Sequence, residues 1–310
     1  MRLIRDFDAI PKECHGAALA LGNFDGVHRG HQAILRQCLE IARKGNIPAA
    51  VMTFEPHPRE FFGRGGDKLR LYSFRDKAKM LRDLDINVLF VARFNRAFAS
   101  LSAGEFVEEL LQRQLGVRHV VTGYNFAFGK GRQGNVDFLA AESRRLGFGF
   151  TACPPVQDGD GETVSSSAIR RHLAAGEVKK AAALLGRPYA IGARVRRGQQ
   201  RGREMGFPTA NLKLDHLFRP RFGIYAVRVA AGGEAYDGVA SLGINPTFDL
   251  KEPVLEAHIF DKTIDLYGKR IHVELIDFLR DERKFDTMEA LRLQMEEDAK
   301  NAKSLLAHAR

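Results

Sequence analysis

The sequence predicts an α/β chain in two parts: a doubly wound parallel sheet of Rossmann type over residues 1–186, then a small antiparallel β-barrel with a C-terminal helix over residues 187–310. Three observations carry this. Before residue 187, short apolar runs alternate with segments whose apolar residues recur at helical spacing, the texture of repeated βαβ units. After it, apolar and polar residues alternate in short runs divided by turns, and helical spacing returns only at Thr287. A chain of 310 residues is also long enough for two cores at ~100–200 residues each.

The first strand is expected at Ala17 to Leu21 and the first helix at Gln32 to Lys44, with Ile34, Cys38 and Ile41 on one stripe and Leu35, Leu39 and Ala42 beside it. Between them runs Gly22-Asn23-Phe24-Asp25-Gly26-Val27-His28-Arg29-Gly30-His31. Asp25-Gly26 permits a turn with positive φ, and Gly30 removes a side chain where another group approaches the backbone. His28 and His31, three residues apart at a helix start, share a face. Unpaired backbone N–H groups and the helix dipole favour an anion there, so a phosphate site is the natural reading. One capping histidine beside one surface histidine fits the same residues.

Gly45 is expected to cap that helix, and Ala49 to Phe54 to form a buried parallel strand. The alternation continues through a helix at Phe74 to Asp83, a strand at Asn87 to Phe94, a helix at Ala103 to Leu115, a strand at Arg118 to Thr122, a helix at Val136 to Leu146 and a strand at Phe148 to Cys153. Ligands of such sheets collect at the carboxyl ends of strands. Two loops there stand out. Glu55-Pro56-His57-Pro58 presents His57 on a backbone stiffened by two prolines. Gly123 to Gly134 carries Tyr124, Phe126 and Phe128 in alternation, suited to a flat flavin or adenine, and ends in a Gly-rich basic stretch without the G-K-[ST] of a Walker A loop. Ser165, Ser166 and Ser167 then open a helix, where hydroxyls cap the first turn or bind phosphate.

In the second part, strands are expected at Ala190 to Val195, Gly223 to Val229, Ala235 to Leu242, Val254 to Phe260 and Ile271 to Phe278, closed into a barrel to remove their edges. The final helix, from Thr287 to about His308, should pack on it through Met288, Leu291, Met295, Ala299, Ala302 and Leu306. Gly202-Arg203-Glu204-Met205-Gly206-Phe207-Pro208-Thr209-Ala210-Asn211 joins glycines to a Pro-Thr-Ala-Asn turn, whose Thr209 and Asn211 offer neutral oxygens to a hard cation such as Mg²⁺. Glu256 shares a strand face with Val254 and His258 and is a candidate proton acceptor.

A net charge of +10 favours anionic partners, but Lys and Arg are dispersed and form no basic tail, which argues against nucleic acid as the main partner. No run approaches the ~20 apolar residues needed to span a bilayer. Three cysteines without a C-x-x-C pair fit a reducing cytoplasm. An oligomer is compatible with this composition.

Taken together, these motifs resemble, in the same order, those of prokaryotic bifunctional riboflavin kinase/FAD synthetases, whose first part is nucleotidylyltransferase-like. The matching runs are G-x-F-D-G-x-H-x-G-H at 22–31, T-F-x-P-H-P at 53–58, S-S-T-x-I-R at 165–170 with Ser167 in the Thr position, G-F-P-T-A-N-L at 206–212, and V-E-x-H-I with Leu255 in the Val position. The resemblance implies riboflavin, FMN, FAD and ATP as small-molecule partners and Mg²⁺ as cofactor. It implies that Gly22, Asn23, Phe24, His28, His31, Asn125, Ser165, Ser166, Ser167 and Arg170 surround the ATP that adenylylates FMN, with His57, Pro58, Tyr124, Phe126 and Phe128 at the flavin. Arg170 would neutralise the leaving pyrophosphate. In the barrel it implies that Gly202, Gly206, Phe207, Pro208, Thr209 and Asn211 hold ATP with its metal, and that Glu256 is the base for the riboflavin 5′-hydroxyl. The family often has Asp where Asn125 stands, which leaves both metal contact and nucleotide hydrogen bonding open. Two alternatives remain: an adenylyltransferase with a non-catalytic barrel, and an RNA- or flavin-binding module.

Overall fold

The computed structural model describes residues 1–63, 68–197, 206–244, 253–262 and 264–308. They divide into two compact units. One comprises Met1–Leu69 and Phe74–Val164, the other Arg70–Ser73 and Ser165–Arg310.

The first unit holds a six-stranded parallel sheet of β1 (Arg2–Ile4), β2 (Ala18–Leu21), β3 (Ala49–Glu55), β4 (Val88–Arg93), β5 (His119–Gly123) and β6 (Gly149–Cys153), in the order β1-β4-β3-β2-β5-β6. Every strand expected from the sequence is present. The edge strand β1 was not expected, because three residues are too few to show a period. Alternate residues of β2 serve opposite faces, as a doubly wound sheet requires. Ala18 and Ala20 pack with Ile34, Leu35 and Cys38 of α1 (Arg29–Gly45), while Leu19 and Leu21 pack with Phe106 and Leu110 beyond the other face. Helix α1 is capped not by Gly45 but by Asn46, whose φ of 47° is left-handed. The helix expected at 103–115 begins with a Ser102–Glu105 capping box and then widens into a π-helix over Phe106–Gln114, with Leu115 N–H bonding Leu110 C=O at 3.0 Å.

Besides the C-terminal helix, the second unit holds the helices Ser166–Ala175 and Val178–Leu185 and a curled antiparallel sheet. Its strands are β7 (Tyr189–Arg194), β8 (Thr209–Lys213), β9 (Gly223–Ala231), β10 (Glu234–Ile244), β11 (Pro253–Ile259) and β12 (Arg270–Arg280), in the order β7-β12-β9-β10-β11-β8. A backbone bond from Arg196 N–H to Asn211 C=O, 2.9 Å, links the two ends of the curl. Tyr189, Tyr225, Leu212, Leu242, Leu255 and Val273 fill the interior. Residues 70–73 join this unit from a distant point in the chain: the Tyr189 hydroxyl donates to Leu71 C=O at 3.0 Å, and the Tyr72 and Tyr189 rings lie 5.4 Å apart.

The C-terminal helix, Met288–His308, docks through Ala302 and Leu306 near Ala226 and Phe260. A bidentate Arg280–Asp298 pair fixes it, Nε–Oδ1 2.8 Å and Nη2–Oδ2 2.6 Å. Met288, expected on the packing face, is 60% exposed because only the C-terminal half of the helix lies on the sheet core. The Pro-Thr-Ala-Asn segment is no turn either. Thr209 to Lys213 pair with β11 and bury Ala210 and Leu212, so period-two burial prevails over the turn preference of Pro and Asn.

Candidate functional site

In the first unit, strand order reverses between β2 and β5, so the loops after these strands flank the crevice where open α/β sheets take ligands. The loop after β2 departs from ordinary backbone at three points: Gly26 with φ 91°, as expected, and also Phe24 with φ 49° and Val27 with φ 41°. Positive φ at a bulky or β-branched residue costs roughly 1–3 kcal/mol and persists only where the surroundings enforce it. Both side chains are buried.

His28 is the N-cap of α1, its Nδ1 accepting the His31 N–H at 3.2 Å. An accepting Nδ1 carries no proton, so Nε2 carries it and can donate. The His28 and His31 rings stack, centroids 3.6 Å apart and 18° from parallel, and Phe24 backs His31 at 5.2 Å. Gly30 permits this stack, since a Cβ there would lie 3.2 Å from the His28 ring and 3.4 Å from Val164 C=O. Thus the capping role and the shared face, alternatives in the sequence, coexist. The Asn23 carbonyl accepts from Thr53 Oγ1 at 3.1 Å and Lys77 Nζ at 3.2 Å. The buried Asn23 Oδ1 has no protein partner among the described residues, leaving an acceptor for a ligand N–H or O–H rather than for a phosphate oxygen.

After β3, His57 caps the short helix Pro58–Phe61, its Nδ1 accepting from Arg59 N–H at 3.1 Å. After β5, Tyr124 and Asn125 are exposed and Phe126 half-buried. Phe128 belongs to the core, between Phe106 and Phe138, and stacks behind Phe126 with centroids 5.7 Å apart. Gly134 makes room for it, because a Cβ would come within 2.6 Å of the Phe128 ring.

In the second unit, Ser165 is the N-cap of helix Ser166–Ala175, its Oγ accepting from Ala168 N–H at 3.1 Å. Ser167 is exposed, whereas Ser166 and Arg170, one helical turn apart, are half-buried on a common face.

The barrel gathers a second polar row on the outer face of β10, β11 and β8. Glu256 lies opposite Ser241 on one side and Asn211 on the other, and His258 opposite Val239 and Thr209. Directly opposed residues have Cβ atoms ~4.5–5.5 Å apart. Asn211 Nδ2 donates to Thr209 Oγ1 at 3.4 Å. His258 Nδ1 donates to Pro208 C=O at 2.9 Å, and its ring meets Phe207 edge-on at 5.1 Å, tying the segment before β8 to β11. Glu282 is a member the sequence reading missed. Its carboxylate rests on Gly243, where any Cβ would strike it, and burial raises its pKa above the ordinary carboxylate value. Glycine opposite a carboxylate far along the chain carries no local signal. Gly206 precedes the row with φ 84°, while Gly202 lies outside the described residues.

The family model for FAD synthetase matches residues 10–168, and that for riboflavin kinase residues 185–306. A bifunctional riboflavin kinase/FMN adenylyltransferase from Haemophilus influenzae is 40% identical over 310 residues, covering 98% of this chain and 99% of that one. The chain belongs to the bifunctional riboflavin kinase/FMN adenylyltransferase family. A Bacillus subtilis relative of the same name is 38% identical over 298 residues, covering 94% and 93% of the two chains. A crystal structure described as a macrolide-efflux protein from Streptococcus pneumoniae matches with a TM-score of 0.84 at 33% identity over 96% of each chain. Among the described residues here, no helix is long and apolar enough to cross a membrane.

The FAD synthetase region thus contains the stacked histidines, and the riboflavin kinase region the Ser241–Glu256–Asn211 row. The donor set of Thr209 and Asn211, two neutral oxygens beside one carboxylate, fits a hard cation that takes its remaining ligands from water and phosphate. Among the described residues no group of three His, Cys, Asp or Glu side chains forms a metal cluster of its own.

Proposed function

We propose that residues 187–310 phosphorylate riboflavin with ATP to give FMN, and that residues 1–186 adenylylate FMN with a second ATP, releasing pyrophosphate and FAD. The observation that carries this reading is the presence, in two separate compact units of one chain, of an imidazole stack at a helix N-terminus and of a carboxylate, Glu256, between Ser241 and Asn211, with Thr209 two residues along the same strand face as Asn211.

In the kinase half, Glu256 takes the proton of the riboflavin 5′-hydroxyl as its oxygen attacks the γ-phosphorus and ADP leaves. Thr209 and Asn211 would hold Mg²⁺, which supplies charge neutralisation to the ATP phosphates. Gly206, Phe207 and Pro208, held by His258, line the nucleotide, and Gly202 belongs to the same segment. In the adenylyltransferase half, an FMN phosphate oxygen attacks the α-phosphorus and the bond to the β-bridging oxygen breaks. No covalent enzyme intermediate is required. The His28 Nε2–H, His31 and the free N–H groups of α1 stabilise charge developing on the triphosphate. Gly22, Asn23 and Phe24 shape that pocket, with Asn125 at the nucleotide. Ser166, Ser167 and Arg170, on a helix capped by Ser165, receive the pyrophosphate. His57, Pro58, Tyr124 and Phe126 meet the flavin, with Phe128 supporting Phe126 from behind. Three buried free thiols agree with a cytoplasmic enzyme, and nucleic acid has no part in the chemistry.

The test is to incubate the purified protein with riboflavin, ATP and Mg²⁺ and resolve the flavins by chromatography. Glu256→Gln should stop FMN formation yet still convert supplied FMN to FAD, and His28→Ala should do the reverse. Equal loss of both products in either variant refutes separate sites, and absence of both in the wild type refutes the reading.

A further inference from the structure

Lys77 lies on the helix Phe74–Asp83, far in sequence from every motif above, and its side chain is only 10% exposed. Its ammonium group donates to Thr53 Oγ1 at 2.9 Å, Glu55 Oε1 at 3.1 Å and the Asn23 carbonyl at 3.2 Å. A buried ammonium is tolerated only when paired and hydrogen-bonded in this way. Two of the acceptors belong to the site. Asn23 opens the strained loop after β2, and Glu55 ends β3 and begins the Glu55-Pro56-His57-Pro58 run. Thr53 donates to the same Asn23 carbonyl at 3.1 Å, so two donors hold one peptide oxygen.

That carbonyl precedes Phe24. The peptide is planar, and its C=O and N–H point in opposite directions. With the oxygen turned toward Lys77 and Thr53, the Phe24 N–H faces away from them, and among the described residues no protein acceptor takes it. From Phe24 the loop passes through φ values of 49°, 91° and 41° to the His28 cap. Rotation of the Asn23–Phe24 peptide would therefore move both an outward N–H and the start of the turn that seats the imidazole stack. A water or an apolar side chain in place of Lys77 would not hold this orientation against backbone strain.

We propose that Lys77 is a positioning residue for adenylyl transfer: its ammonium clamps the Asn23 carbonyl, turning the Phe24 N–H and the His28–His31 pair toward the nucleotide, and ties that loop to the Glu55-Pro56-His57-Pro58 loop. This rests on the adenylyltransferase reading. Lys77 touches no reacting atom and acts through the two loops.

The experiment compares Lys77→Met, Lys77→Arg and Thr53→Val with the wild type. Three measurements are made: steady-state FAD formation from FMN and ATP, FMN formation from riboflavin, and amide hydrogen exchange of residues 22–28 with and without ATP. A loop misplaced by about an ångström loses rate on the order of a hundredfold. Lys77→Met is accordingly expected to lower kcat for FAD formation about a hundredfold with KM for FMN changed less than about threefold, while FMN formation persists. ATP should protect residues 22–28 from exchange in the wild type and about tenfold less in Lys77→Met. Lys77→Arg keeps the charge and should recover most of the rate. Thr53→Val, which removes both the donation to the Asn23 carbonyl and the acceptor for Lys77 while keeping the side-chain shape, should lose several-fold. Wild-type kcat together with wild-type exchange in Lys77→Met overturns the proposal. So does a loss shared equally by both activities with no recovery in Lys77→Arg, the mark of a purely structural lysine. A wild-type protein that makes no FAD refutes the adenylyltransferase reading instead, and the exchange of residues 22–28 still decides whether Lys77 orders the loop.

Discussion

Replacing His28 by two different residues separates its two roles. As N-cap it accepts the His31 N–H, and as a ring it stacks on His31 and offers Nε2–H to a ligand. His28→Ala removes everything. Loss of an N-cap costs about 0.5–2 kcal/mol, and loss of an aromatic pair about 0.5–1.5 kcal/mol, so the first unit should be weakened by roughly 1–3.5 kcal/mol in total. Asn is among the best caps and can accept the same N–H. His28→Asn should therefore lose only the stacking contribution, about 0.5–1.5 kcal/mol. The rate of FAD formation tells a different story, since a preorganised donor to developing charge contributes about 10²–10³-fold. Both variants should fall by that factor, although only one loses its cap. Urea unfolding reads the stability, chromatography of FAD formed from supplied FMN reads the rate, and riboflavin phosphorylation serves as internal control. Retention of FAD formation above about a tenth of wild type in His28→Asn would refute a chemical role for the imidazole and leave His28 a cap alone.

Thr209→Val keeps the shape of β8 and removes the hydroxyl oxygen proposed to bind the metal. Half-maximal FMN formation should then require ~10–100-fold more Mg²⁺, and an unchanged Mg²⁺ titration would remove Thr209 from the metal site. Asp298→Ala leaves the Arg280 guanidinium, 18% exposed, without its bidentate partner, and should destabilise the docking of the C-terminal helix by about 3–5 kcal/mol. Amide exchange localised to 288–308 checks this, and native protection there contradicts it. Burial pushes the Cys38 thiol up from 9.0 to about 12, while its Sγ–H donates to Ala18 C=O at 3.2 Å. A thiol with a raised folded-state pKa contributes stability that is complete below pH 9.0 and is lost as pH rises toward about 12. Folded protein at pH 8 should accordingly leave Cys38 unmodified by iodoacetamide, and alkylation before unfolding would show that the helix opens.

Much of the site was legible because its residues are close in sequence. The 22–31 run announces a strand, a turn and a helix start, and the structure places its histidines face to face. The Glu256 face was legible for the same reason, since strand alternation alone puts Val254, Glu256 and His258 on one side. What could not be read depends on neighbours that the chain brings from afar. Phe128 alternates with Phe126 as though both faced a ligand, yet Phe106, Phe138 and Gly134 enclose it in the core. Thr209 and Asn211 carry turn chemistry, but pairing with β11 makes them a strand. Lys77 and Glu282 belong to no motif, and Tyr72 packs with a strand more than a hundred residues later.

From its residues alone this chain yields two textures, the periods of its helices and strands, and the short phosphate- and flavin-type motifs, because periodicity and capping are local balances of backbone geometry and apolar burial. Only the tertiary structure decided which polar groups share a face or a carbonyl. Ser241 beside Glu256 beside Asn211, and Lys77 beneath Asn23, arise from strand register and crossover. Those are chosen by burying whole apolar faces at once, a sum over long-range contacts that no local window contains.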